Sequence, residues 1–121
     1  MKHYITLNSP WFELVQEGKK LYEGRRRTEK IKIICVDDIL VIKHHTDSKR
    51  PEFEVKVVQI IEFPTFEDAL KKLPINEILP LDEMSVEKGV EVYQQYVSLK
   101  TQINDGVTLF KVSLISDPSI L

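Results

Sequence analysis

The sequence predicts an α+β domain: a small mixed β-barrel, only partly closed, with helices inserted between its strands. Three observations lead to this class. Stretches with the two-residue period of a strand recur at 2–7, 20–27, 39–44, 52–63 and 107–115. Apolar residues at helical spacing lie between them, after Pro10, after Thr65 and after Ser85. The chain has 121 residues, enough for one domain with one hydrophobic core. The expected domain is 1–121, with its core over about 2–115 and a loose tail at 116–121.

Each element has its own signal. Residues 2–7 alternate enough for a short strand. Ser9-Pro10 opens the first helix, since Ser9 can cap and Pro10 suits a first helical position. Trp11, Leu14 and Val15 share one face of it, and Gly18 fits the left-handed residue that ends it. In the strand at 20–27, Leu21, Glu23 and Arg25 fall on one face and Lys20, Tyr22 and Gly24 on the other. The apolar run 31–36 reads as a short strand or a buried crossing segment, and Asp37-Asp38 as a turn before the strand 39–44. Strand 52–63 alternates clearly until Val57-Val58, where either both faces are covered or a bulge resets the register. Thr65 and Asp68 form a variant capping box for a second helix with apolar face Phe66, Ala69, Leu70 and Leu73. Pro74 and Pro80 bracket an irregular piece, and Ser85 caps a third helix over 86–97 with face Val86, Val90, Tyr93 and Val97. Asn104-Asp105-Gly106 is a turn before the last strand.

Composition excludes several classes. With 42% hydrophobic and 30% charged residues, this is not the composition of a disordered chain. Apolar runs are at most about five residues, far short of a membrane span, so no membrane partner is expected. The first residues lack the apolar core of a secretory signal. Cys35 is the only cysteine, which excludes an internal disulfide and a cysteine-rich zinc site. A reducing, cytoplasmic location is the expectation. Within Ile33-Ile34-Cys35-Val36, the thiol is expected to be buried and inert. His44-His45 has no metal-binding spacing, and neither a glycine-rich phosphate loop nor a G-x-S-x-G elbow is present. No metal and no cofactor are expected.

Charge is unevenly spread. Residues 1–60 carry 12 Lys+Arg against 9 Asp+Glu, whereas 61–121 carry 5 against 10. Seven bases fall within 19–32 (Lys19, Lys20, Arg25, Arg26, Arg27, Lys30 and Lys32), against Glu23 and Glu29. This favours an anionic partner, and Arg26, Arg27 and Lys30 are the candidates for phosphate contacts. The alternative is a charged strand edge that discourages pairing with other chains. Tyr22, Trp11, Phe63 and Tyr96 are candidates for stacking on a base, with core packing as the alternative. Tyr22 stands out because its face of the strand is expected to be off the core.

The stretch Gly18-x-Lys20-x-x-Glu23-x-Arg25 fits G-x-K-x-x-E-x-R. With the short helix before it, the passages Val36-Asp37-Asp38-Ile39 and Phe63-Pro64-Thr65-Phe66-Glu67, and the Tyr93–Tyr96 helix before Gly106-Val107, the chain resembles the ASCH domain of the PUA-like β-barrel superfamily over most of 3–115. It departs at Asp37, where relatives commonly have Gly. The resemblance implies a PUA-like barrel with a cleft near the first helix, and RNA or a modified nucleoside as partner. A protein partner is the further alternative. Some relatives are amidohydrolases of N4-acetylcytidine that use Lys, Thr and Glu, and others are reported as ribonucleases. Lys20 falls on the motif Lys, Glu23 stands where the Thr is expected, and Glu77 is the nearest match to the third residue.

Two readings of the motif therefore stand side by side. Lys20, Tyr22, Glu23 and Arg25 line a binding cleft, or Lys20 with Glu23 or Glu77 performs hydrolysis. For Glu23 and Arg25 the bland alternative is a buried structural ion pair. For Lys20 it is plain exposure, against a position over the cleft mouth where burial and Arg25 would lower its pKa.

Overall fold

The computed structural model describes residues 1–115. Five strands form one curled sheet: β1 (Lys2–Leu7), β2 (Tyr22–Arg26), β3 (Ile39–His44), β4 (Phe53–Phe63) and β5 (Val107–Leu114). Their spatial order is β1-β3-β4-β5-β2. β1 lies parallel to β3 and the other three pairings are antiparallel. The sheet is a half-barrel, so β1 and β2 are both edges. Among the described residues six helices accompany it: α1 (Trp11–Gln16), α2 (Glu29–Lys32), α3 (Phe66–Lys72), α4 (Ile75–Ile78), α5 (Val86–Gln94) and α6 (Leu99–Asp105). None is long and apolar enough to cross a membrane.

The sheet divides two apolar clusters. On β5, Phe110 and Val112 face one cluster, with Ile5, Leu40, Val55, Val57 and, from α1, Phe12 and Val15. Val107 and Leu109 face the other, with Phe66, Leu70, Ile78, Leu79 and Tyr93 from the helical layer. Both faces of β5 are therefore covered, which is why Val107 to Phe110 are all buried. The change of alternation in β4 is a register shift between Val57 and Gln59.

Several expectations need correction. Residues 31–36 form no strand: Thr28 caps α2 by accepting from the Ile31 N–H, and a turn follows. Ile31 and Ile34 are buried, but Ile33 and Val36 point outward. A short apolar run fits a helical turn as well as a strand, and here the local cap decides. Cys35 is exposed rather than buried, on the outward side of that turn. Ser9 does not cap α1. Pro10 occupies the cap position, and the Ser9 hydroxyl donates to Glu13 Oε2 at 2.8 Å. The third helix ends at Gln94, and residues 99–105 form a further helix, α6, which was not expected. Gly18 has the expected positive φ of 75°, and Asp37 adopts the same value, the conformation that Gly takes at least cost. The tail at 116–121 lies outside the described residues.

Candidate functional site

The site begins where α1 ends. Gly18 turns the chain, and the Lys19 and Lys20 N–H groups donate back to the Leu14 carbonyl. The next residues are pinned to α4: the Leu21 N–H donates to the Glu77 carbonyl at 2.8 Å, and Lys20 Nζ donates to the Ile78 carbonyl. These bonds hold the Lys20 side chain inside, with only 3% of the residue exposed. Its ammonium lies 5.5 Å from the centre of the Trp11 ring. Burial lowers its pKa to about 8; the Glu23 charge opposes that shift and Arg25 adds to it.

β2 then pairs with β5, placing Glu23 opposite Phe110 and Arg25 opposite Thr108. Glu23 and Arg25 thus share the face that lines the inside of the half-barrel. Arg25 Nε lies 3.8 Å from Glu23 Oε1, and its Nη2 donates to the Thr6 carbonyl at 2.7 Å. Lys30 Nζ donates to the Tyr4 carbonyl at 2.8 Å. Two cations from β2 and α2 therefore bind carbonyls of the β1 edge across the open seam, where a closed barrel would have a strand.

A cavity of about 490 Å³ opens at this seam. Its walls include Thr6 and Asn8 of the β1 side, Trp11, Lys20, Glu23, Arg25 and, from the helical layer, Tyr93 and Tyr96. The Tyr93 ring stacks on Phe66 with centroids 3.9 Å apart and planes 7° from parallel. Gly24 makes room for this pair, because a Cβ there would stand 2.8 Å from Phe66 Cε1 and 3.0 Å from the Tyr93 hydroxyl. Burial and the Glu23 charge push the phenol pKa upward, so Tyr93 stays neutral and can donate.

Three buried polar atoms here have no hydrogen-bond partner among the described residues: Glu23 Oε2, Arg25 Nε and the Tyr93 hydroxyl. Glu23 is 6% exposed and Tyr93 8%, so bulk water does not replace the missing partners. A buried polar group left unpaired costs about 1–3 kcal/mol, and here three such groups belong to residues that line one cavity.

The structure brings Lys20, Glu23, Arg25, Arg26 and Lys30 to this cavity, with Trp11 and Tyr96. It separates the others from its walls. Tyr22 is buried, contrary to the expected off-core face, because the helical layer covers that side of β2. Arg27 lies 3.4 Å from Glu62. Glu77 meets the motif through its backbone carbonyl. Phe63 packs in the helical-side cluster. Tyr93 was read as part of an apolar helix face, and its position in α5 carries no sign that the hydroxyl ends in a cavity. Among the described residues no group of His, Cys, Asp and Glu could hold a metal.

Comparison with known proteins agrees with this fold. No curated protein sequence matches the chain. The crystal structure of the hypothetical protein PH0355 is 32% identical, with a TM-score of 0.83, covering 95% of this chain and 100% of that one. The solution structure of protein PF0455 from Pyrococcus furiosus is 26% identical, with a TM-score of 0.73 and coverage of 97% and 100%. ASCH from Zymomonas mobilis shares the fold at 17% identity and a TM-score of 0.66, over 93% of this chain and 66% of that one. The model of the ASCH domain matches residues 5–114, and the chain belongs to that family.

Proposed function

We propose that the seam cavity binds RNA or a modified nucleoside, with the base inside and the phosphates at the rim. The observation that carries this reading is that Glu23, Arg25 and Tyr93, each with a buried polar atom that has no hydrogen-bond partner among the described residues, all line one cavity. A base edge supplies hydrogen-bonding groups of both signs, and Trp11 and Tyr96 offer aromatic surface beside it. Arg26 and Lys30, also on the cavity wall, are placed for phosphate oxygens, and Arg27 is the next base along the chain.

The test is binding of short single-stranded RNA and of nucleosides to the wild type and to a Lys20→Ala/Arg25→Ala double variant. Loss of binding by at least about tenfold is expected from removing one buried and one half-buried cation. Unchanged binding removes this site assignment.

A hydrolase is the second reading, favoured by one observation: Lys20 is buried in the cavity wall, and burial lowers its pKa to about 8, which leaves a fraction neutral near neutral pH. Lys20 would then shuttle the proton and Glu23 would activate water. The same incubations, followed by chromatography of N4-acetylcytidine and of RNA, separate the two readings. Intact substrates support binding alone, whereas turnover lost in Glu23→Gln supports the hydrolase.

A further inference from the structure

The loop after β3 is fastened by a chain of hydrogen bonds whose direction is fixed at both ends. At one end the Thr46 and Asp47 N–H groups donate to His44 Nδ1, at 3.3 and 3.0 Å. Two donors on one nitrogen require it to be bare, so the neutral imidazole carries its proton on Nε2. Nε2 lies 3.0 Å from Ser9 Oγ. At the other end Glu13 Oε2 accepts from that hydroxyl at 2.8 Å and from Arg50 Nη2 at 3.1 Å. The Ser9 hydroxyl holds the Glu13 carboxyl below its usual range, so Glu13 is ionised and only accepts. Ser9 therefore spends its proton on Glu13 and accepts from His44, so His44 is not its base. Phe12 meets the imidazole edge to face, with centroids 5.2 Å apart. This knot lies beside the seam cavity. Asn8 precedes Ser9, Trp11 opens α1 and His45 follows His44, and all three line the cavity.

We propose that the neutral His44 imidazole is a pH-sensitive clasp, tying the loop at 45–50 to α1 and setting the cavity mouth at His45. The link to the cavity rests on reading it as an RNA or nucleoside site, but the clasp does not. A proton from solvent adds to His44 only at Nδ1, because Nε2 is already protonated. Nδ1 then becomes a donor pointing at two donors, and both loop N–H groups lose their acceptor. Among the described residues the charged groups around His44 are Glu13 of α1, Asp47 and Arg50 of the loop, and its neighbours Lys43 and His45. Glu13 is taken up by Ser9 and Arg50, Asp47 Oδ1 accepts from the Lys49 N–H at 3.1 Å, and Lys43 lies 3.2 Å from Glu52. β1 places the apolar Leu7 opposite His44, and β4 pairs with β3 only as far as Ile42. Protonation therefore opens the first turn of the loop. His45 is then held from one side only, by its N–H on the Leu7 carbonyl at 2.8 Å.

NMR of the wild type tests the clasp without any ligand. The ring nitrogens of His44 are expected to show the Nε2–H tautomer at about pH 7.5. The Thr46 and Asp47 amides are expected to lose at least about fivefold in exchange protection as His44 takes up its proton. His44→Asn is the second probe, because its side-chain oxygen can accept from the same two N–H groups and does not titrate. There the protection is expected to stay constant. Anisotropy of a labelled single-stranded RNA tests the link to the cavity. Between about pH 7.5 and about pH 5.5 the wild type is expected to lose at least about threefold in affinity relative to His44→Asn, in which Lys20 and His45 titrate as before. An Nδ1–H tautomer, or protection that ignores the titration of His44, overturns the clasp. An identical pH dependence of binding in the two proteins overturns the link to the cavity. No RNA binding by either protein overturns the reading of the cavity and the link with it, while the clasp stands or falls on the NMR result.

Discussion

Lys20 shows how one residue can be marked in the sequence while its surroundings stay open. The motif singles it out, yet its position before a strand reads as readily as exposed. What buries it is α4, whose Ile78 carbonyl takes the ammonium from 58 residues away. No local signal carries that contact. Glu23 and Arg25 are more legible, because a two-residue spacing puts them on one face whichever way the strand is turned. Tyr93 is legible only as an aromatic on a helix face. The buried amine has a measurable signature. Its pKa is about 8, against 10.5 for an ordinary lysine. Between those values the unfolded chain holds a proton that the folded chain has released, so stability rises with pH. Below pH 8 the full penalty applies, about 3 kcal/mol by the size of the shift. Urea unfolding from pH 7 to 10 should show the wild type gaining stability relative to Lys20→Met, which cannot titrate. A difference between the two proteins that stays constant with pH would count against a buried, shifted amine.

At the scale of elements, the strands with clean alternation were legible and the short apolar run at 31–36 was not. Four to six apolar residues fit either a strand or a helical turn, and only the Thr28 cap distinguishes them. Helix α6 was hidden for another reason: its one buried side chain is polar. Gln102 is 2% exposed. It accepts from the Phe66 N–H at 2.9 Å and donates to the Val97 carbonyl at 2.9 Å. It thus serves the first turn of α3, where a helix leaves its N–H groups unpaired, and ties α6 to the end of the preceding segment. Phe66 is the residue on which Tyr93 stacks, so this amide supports the site at one remove. Gln102→Leu keeps the volume and strands both backbone groups. It should lower stability by about 2 kcal/mol in denaturant unfolding. A change below about 0.5 kcal/mol, the level of a neutral surface substitution, would show that water substitutes for the amide.

For the whole molecule, the charge asymmetry along the chain is partly cancelled in space. Arg26 lies 3.5 Å from Asp105 and Arg27 3.4 Å from Glu62, both acids from the second half. The basic stretch is therefore less positive than its composition suggests, and few phosphates should be neutralised on binding. With about three contacts, the logarithm of RNA affinity should fall with the logarithm of salt at a slope of about −2. Titrations from low to moderate salt would measure it, and a slope near zero would remove the phosphate contacts. The α+β class and the partly closed barrel were legible because strand and helix periods alternate along the chain. That the cleft lies in the open seam was not, since the edge strands β1 and β2 follow one another in the chain but stand at opposite ends of the sheet, and only the curl of the intervening β3, β4 and β5 brings them together.

The strand order also bears on how the molecule comes into being. β5 is the last of the described strands and sits between β4 and β2. The segment bearing Glu23 and Arg25 therefore has no strand to pair with until residues 107–111 exist. On a ribosome, the N-terminal part can assemble β1, β3 and β4, but the cleft face waits until β5 has been made. Its formation joins residues 22–26 to residues 107–111, the kind of long-range closure that slows folding. Nascent chains halted before Val107 should lack a cleft altogether.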